Sequence, residues 1–257
     1  MAVESDPTAA TSDGRSSVNS DYHQPTSPIK LDVIVVGAGI SGLATAVSTA
    51  LSGHNVKVFE TAKELLEVGA GIQVTPNSTR ILQRWGLPDS VWRSASEPTS
   101  LSIHRYTGNV LAHEDNFHSN IRRKYHSPFL DMHRVDLQLS LYQRAKQLGV
   151  QFCLGEKVDG IDIEAAEITT KCGHSANADI IVAADGLWSK TAASFRGKTN
   201  PPLPTGDLAY RVVLNIEAVE DDSELSAWVR VPAVHFWIGP GQELPTWIND
   251  KSNFVFV

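Results

Sequence analysis

The stretch LDVIVVGAGISGLATAVSTAL, residues 31–51, is the least polar in the chain. About twenty apolar residues are enough to cross a bilayer as one helix, but the internal order of this segment points elsewhere. Gly37, Gly39 and Gly42 stand at G-x-G-x-x-G spacing directly behind Val33, Ile34, Val35 and Val36, four residues that read as a strand buried on both faces. Leu43 to Leu51 is rich in alanine and small residues and runs into Gly53, a helix stop. A second strand, Val56 to Phe59, is closed by Glu60, 18 residues after Gly42. A strand, a glycine turn, a helix and an acid at that distance make a phosphate cradle with a carboxylate for a ribose, which a membrane span would not need.

Each glycine has its own reason. Gly37 permits a tight turn, Gly39 lets backbone approach a pyrophosphate, and Gly42 lets the helix pack close to the strand, so that amides at the helix start face phosphate charge.

Composition narrows the alternatives. The 257 residues are 42% hydrophobic with a formal net charge of -7, enough apolar content for one or two cores and no basic surplus for nucleic acid or an anionic membrane. The basic run Arg122, Arg123, Lys124 reads as a solvated loop. Cys153 and Cys172 are the only two cysteines; they read as buried, inert thiols in strands, with no metal spacing and no disulfide framework. Residues 1–29 are rich in Ser, Thr, Asp and Pro, and Glu4, Asp6, Asp13 and Asp21 argue against a presequence. They read as a disordered leader on a cytoplasmic protein with no stable membrane insertion.

Farther along, Pro76 behind Thr75 starts a helix that Gly86 and Pro88 end. Residues 99–114 alternate as a hairpin around Thr-Gly-Asn, and Val135 to Leu148 carries a helical pattern stopped by Gly149. A β-rich passage from Gln151 to Lys171 leads to ADIIVAADG. From Asp207 onward, DLAYRVVLNIEAVE and SAWVRVPAVHFWIGPG read as strands of a separate, antiparallel sheet.

Three of these segments, GAGIQVTPN, the single arginine in MHRVDL, and ADIIVAADG, together resemble the class A flavoprotein monooxygenases, most closely the branch of salicylate hydroxylases and their fungal biosynthetic relatives. The resemblance runs from about Lys30 to Val257. It implies an α/β fold: a Rossmann-like, three-layer FAD-binding domain over 30–200, interrupted near 99–114 by a hairpin belonging to a substrate domain whose N-terminal part is 205–257, an antiparallel sheet. It implies FAD as cofactor and NAD(P)H as co-substrate, with O₂ captured on reduced flavin as a C4a-hydroperoxide and one oxygen delivered to an aromatic or related substrate. Carried onto this chain, Glu60 would bind the adenosine ribose, Gly71, Ile72 and Gln73 would line the flavin side, Arg134 would reach FAD, and Asp185 and Gly186 would serve FAD and nicotinamide. Arg211 in LAYRVV matches a position treated as catalytic, and no metal is implied. His235, beside Phe236 and Trp237, reads as a packing residue.

Two departures stand out. The family pattern continues after Asp-Gly with a serine, which Ser189 matches, and an arginine three residues on, where Ala192 stands here. Members also carry a second Gly-Asp flavin motif farther on, and the one Gly-Asp here, Gly206-Asp207, opens a substrate-domain strand. The expectation is therefore a C-terminally truncated member, the alternative a non-catalytic nucleotide-binding fragment or pseudoenzyme. A nicotinamide-dependent dehydrogenase is the third reading, and the Arg134 and Asp185 motifs disfavour it.

Overall fold

The computed structural model describes residues 26–65, 71–198, 201–206, 212–215, 219, 221–239, 242–249 and 253–256. The fold opens with β1 (Asp32–Val36), α1 (Ile40–Leu51) and β2 (Asn55–Glu60). With β7 (Gln151–Leu154) and β11 (Ile180–Ala183) they build a four-stranded parallel sheet, order β11-β1-β2-β7. Val36 pairs with Ala183 on one side and Phe59 on the other, so the carboxyl ends of β1, β2 and β11 lie side by side.

The unbroken apolar run of β1 has a simple cause: both faces are covered. Val33 and Val35 enter a core with Leu43, Ala46 and Val47 of α1 and Leu137, Leu141 and Ala145 of α5 (Arg134–Gln147). Ile34 and Val36 point the other way, to Phe59 and Ile168. That second face is roofed by an antiparallel meander, β8 (Val158–Asp162), β9 (Glu167–Thr170) and β10 (Ser175–Asn177). The result is three layers, as expected for a Rossmann-like α/β unit. No described helix is long and apolar enough to cross a membrane.

A short antiparallel pair, β3 (Gly71–Val74) and β6 (Leu130–His133), leads into α5. Around it stand α2 (Pro76–Arg84), α3 (Asp89–Ser94) and α4 (Phe117–Tyr125). Thr75 is the N-cap of α2 with Pro76 in the first turn, as the sequence predicts, but its side chain turns to Asn77 rather than to a helix amide.

The remaining strands form a six-stranded sheet, order β12-β15-β14-β13-β4-β5. Its members are β4 (Ser100–Arg105), β5 (Val110–Glu114), β12 (Val212–Asn215), β13 (Ala233–Gly239), β14 (Gln242–Asn249) and β15 (Asn253–Phe256). The 99–114 hairpin thus joins the C-terminal strands. The expectation of an antiparallel sheet needs correction: β13 pairs with β4 in parallel, Ala233 against Ser100 through Ile238 against Arg105. Strands from distant parts of the chain meet there, and no hairpin dictates their direction.

Three smaller expectations also change. Leu225–Val229, which overlaps the start of the stretch read as a strand from Ser226, is a helix, α7; Asp222 Oδ1 accepts from the amides of Glu224 and Leu225 and so starts a helical turn. Arg122, Arg123 and Lys124 lie in the last turn of α4, where cations suit the helix dipole. Cys172 is exposed in the turn between β9 and β10, while Cys153 is partly buried in β7. Burial raises the Cys153 thiol above its ordinary pKa, with Lys57 partly opposing. The leader expected at 1–29 lies almost wholly outside the described residues.

Candidate cofactor site

The glycine turn follows β1 because the backbone there has no room for side chains. Gly37 adopts φ +102°, and a Cβ on it would stand 2.4 Å from the Ala184 carbonyl oxygen. A Cβ on Gly42 would meet the Gly37 carbonyl oxygen at 2.0 Å, so α1 lies directly on the turn. Gly39, the N-cap of α1, is the opposite case: nothing lies within 4 Å of a Cβ placed there. The first and third glycines make the close packing, and the second faces open space at a helix start, where a ligand's phosphate can reach the amides.

Glu60 ends β2 beside this turn. One carboxylate oxygen, Oε2, accepts from the Ala38 amide at 2.7 Å, and the other, Oε1, accepts from the Ala62 amide at 2.8 Å. The turn is further pinned by the Gly37 amide donating to the Phe59 carbonyl at 2.8 Å and the Ala184 amide donating to the Val36 carbonyl at 2.8 Å. The carboxylate therefore shapes the glycine turn as well as standing where the sequence expects a ribose partner. Each oxygen keeps a lone pair for a hydroxyl.

Asp185 and Gly186 follow β11 and reach the same place, since Gly37 abuts Ala184 and the Asp185 amide. Burial raises the Asp185 pKa, but hydrogen bonds from Ser189 and Thr191 outweigh it and hold the carboxyl below the usual aspartate value. Ser189 Oγ donates to Oδ1 at 2.6 Å, and the Thr191 amide donates to Oδ2 at 3.1 Å. Ser189 in turn caps α6 (Lys190–Arg196) by accepting from the Ala192 amide at 2.9 Å. The Asp-Gly turn is fixed in shape, with Gly186 at φ +82°.

Arg134 opens α5, with His133 as N-cap accepting from the Val135 amide. One turn on, Gln138 Nε2 donates to the Ala38 carbonyl at 3.1 Å from a buried position. Residues four apart share a helix face, so Arg134 lies on the side of α5 that meets the glycine turn. A cation in the first turn opposes the helix dipole, which suits a position that answers to an anion. Gln138 was not legible as a site residue; its only signal is an amide on the apolar face of α5.

Gly71 pairs with His133, directly before Arg134, and Gln73 pairs with Asp131. Ile72 packs its partly buried side chain against the core below. Gln73 turns inward: its Nε2 is buried and unpartnered. Asp131 is a further residue that sequence reasoning missed, fully buried with a pKa pushed up to about 7 by burial, which the nearby Gln73 amide partly offsets without a well-formed hydrogen bond.

The expected catalytic residue, Arg211, lies outside the described residues. His235 does pack, but with a polar partner: its Nδ1 is 3.0 Å from His104 Nε2, and His104 stacks on Trp237 with 4.7 Å between centroids. Burial, then the neighbouring His104 and His113, depress the His235 pKa to about 4. A polar cleft of about 500 Å³ opens at the amino-terminal ends of β1 and β2, around Asp32 and Asn55, the far end of the sheet from the glycine turn. Among the described residues no group of three or more His, Cys, Asp or Glu is placed to hold a metal.

The convergence of glycine turn, acid and Asp-Gly turn at the carboxyl ends of parallel strands agrees with a family model described as "FAD binding domain", which matches residues 30–249. The chain belongs to that family. The FAD binding domain here is 45% identical over 212 residues to the FAD-dependent monooxygenase OpS4 of Beauveria bassiana (strain ARSEF 2860), covering 81% of this chain and 50% of the relative. It is 29% identical over 220 residues to a 3-hydroxybenzoate 6-hydroxylase of Polaromonas naphthalenivorans (strain CJ2), covering 84% and 53%. Among solved structures, that of CtdE in complex with FAD and a substrate shares the fold, with a TM-score of 0.77 at 19% identity, covering 88% of this chain and 56% of the other. The chain spans about half the length of the curated relatives it matches.

Proposed function

We propose that this chain carries the FAD-binding part of a monooxygenase that hydroxylates an aromatic or related small molecule with NAD(P)H and O₂ in the cytoplasm. The observation that carries the reading is the open space at Gly39, at the start of α1 and next to the Ala38 amide that donates to Glu60. Substrate class comes from the relatives, named as FAD-dependent monooxygenases and a hydroxybenzoate hydroxylase.

In this reading the amides at the start of α1 hold the pyrophosphate, and Glu60 accepts a ribose hydroxyl while keeping the turn in shape. Arg134 pairs with phosphate through a planar fork, and Asp185 and Gly186 close the ribityl side. The backbone of Gly71, Ile72 and Gln73 lines the ring side. Bound FAD would relay electrons from NAD(P)H and supply the activation of O₂. The six-stranded sheet, with the 99–114 hairpin as part of a substrate domain and Arg211 as its catalytic arginine, would hold substrate and exclude water.

Gly39→Val tests the cradle. It is expected to leave the fold intact, at a cost no greater than about 1 kcal/mol for a changed N-cap, while abolishing FAD and ADP binding in titration calorimetry. Unchanged binding would refute the placement. Glu60→Gln keeps the size of the side chain and removes its charge. It is expected to weaken ADP by one charge-assisted hydrogen bond, roughly 1.5–3 kcal/mol, or about tenfold to over a hundredfold in dissociation constant. An unaltered constant would remove Glu60 from the ribose site. Substrate-stimulated NAD(P)H oxidation by flavin-loaded protein tests turnover, and a colourless protein that binds ADP alone would leave only the nucleotide half of the reading.

A further inference from the structure

Beneath β3, four buried side-chain atoms have no hydrogen-bond partner: Gln73 Nε2, Ser96 Oγ and both carboxyl oxygens of Asp131. They belong to cross-strand neighbours. Asp131 stands opposite Gln73 in the β3–β6 ladder and opposite Ser96 in an isolated antiparallel bridge. That bridge is closed by two reciprocal backbone bonds of 2.8 Å. Directly opposed residues of antiparallel strands present their side chains on one face, so all three point to the same place. This face is turned away from the core that holds Leu130, Met132 and Val74.

The charges around Asp131 do not help it. Only burial and the Gln73 amide shift its pKa, and no charged side chain among the described residues contributes. His133, next on the same face, accepts from the Val135 amide through Nδ1. Glu97, beside Ser96 in the chain, is gripped by Arg122 through two bonds of 2.6 and 2.7 Å. A carboxylate here could accept from Ser96 and Gln73, but two neutral donors do not replace the hydration of a full charge. A neutral acid fits better: its O–H can donate to Ser96 Oγ and its carbonyl oxygen can accept from Gln73 Nε2.

We propose that Gln73, Ser96 and Asp131 form a proton-dependent latch that positions β3, which makes Asp131 a positioning residue for the flavin side of the site. The second half rests on the reading that the Gly71–Gln73 backbone faces flavin. When the latch releases its proton to solvent, the stranded charge draws water between the strands, and both the Gln73–Asp131 pairing and the Ser96 bridge loosen. β3 then shifts, while the glycine turn, which depends on Glu60 and Gln138, stays in place.

Hydrogen exchange of the whole chain, read on peptides covering 71–74 and 94–98 at pH 6 and pH 8 after correction for intrinsic rates, tests the latch. Wild-type protection is expected to fall on the order of tenfold at pH 8, as a group titrating near 7 loses its proton. Asp131→Asn, neutral at both pH values, is expected to keep its protection equal at both. Equal wild-type protection at the two pH values overturns the latch, with or without a folded variant, and so does an equal fall in Asp131→Asn. Titration with FAD and with ADP separates the two readings. FAD is expected to weaken on the order of tenfold between pH 6 and pH 8, while ADP, which stops short of β3, keeps one affinity. Identical pH dependence for both ligands overturns the positioning role. Failure of ADP to bind at either pH refutes the cofactor reading instead, and the exchange data still decide the latch.

Discussion

Gly42→Val is expected to unfold the chain under conditions where the wild type is folded. A Cβ at this position would lie 2.0 Å from the Gly37 carbonyl oxygen and 3.3 Å from the Ala184 Cβ. The first neighbour is backbone and cannot swing aside. Relief would require α1 to lift from β1, which would open the core of Val33, Val35, Leu43 and Val47. Gly37 cannot yield either, because its own turn at φ +102° already abuts Ala184. Overpacking in a well-packed core costs about 1–3 kcal/mol and occasionally more; with backbone on both sides the upper end applies, a large share of the 5–15 kcal/mol that holds a typical domain. Urea unfolding followed by far-UV dichroism measures it. A loss below about 1 kcal/mol would show that α1 does not sit on the turn as described. Gly39→Val, three residues away, is the contrasting case: it spares stability and removes binding.

Asp131→Asn is expected to stabilise the chain at pH 8 and to leave it nearly unchanged at pH 4. Burial raises the carboxyl from 3.8 to about 7 in the folded state. Between those values the folded chain keeps a proton that the unfolded chain releases, so stability falls as pH rises across the window and stays lost above it. At ~1.4 kcal/mol per pKa unit the full effect is on the order of 4 kcal/mol. Asparagine carries no charge to bury, so the difference between the two proteins should grow steadily from pH 4 to about pH 7 and then level off. Parallel stability curves for the two proteins would place Asp131 in contact with solvent or with a cation.

These two residues differ in how plainly the sequence announces them. Gly42 is readable because its reason is local: the strand before it and the helix after it lie within a few residues, and the spacing of three glycines fixes both. Glu60 is readable on similar grounds, one strand later. The same holds for the end of α5 at Gly149 and for the Asp185–Gly186 turn, each marked by a glycine at positive φ. Asp131 carries no comparable mark. An aspartate in FLDMH alternates with apolar residues as it would on a solvated strand, and only the tertiary fold, with Ser96 bridged to it, turns it into a buried acid. Gln138 was hidden in the same way, since what matters is that its amide meets the Ala38 carbonyl 100 positions earlier.

By itself, then, the sequence determined the glycine cradle, the strand and helix that frame it, and the acid beside it, because dihedral freedom and residue periodicity act over short distances along the chain. Tertiary structure alone decided that β13 runs parallel to β4, that α7 is a helix, and that Asp131 loses its water. Those outcomes depend on which distant segments cover a given face, and burial, the largest force acting on a buried acid or a sheet edge, is set by the whole assembly and leaves no local pattern in the chain.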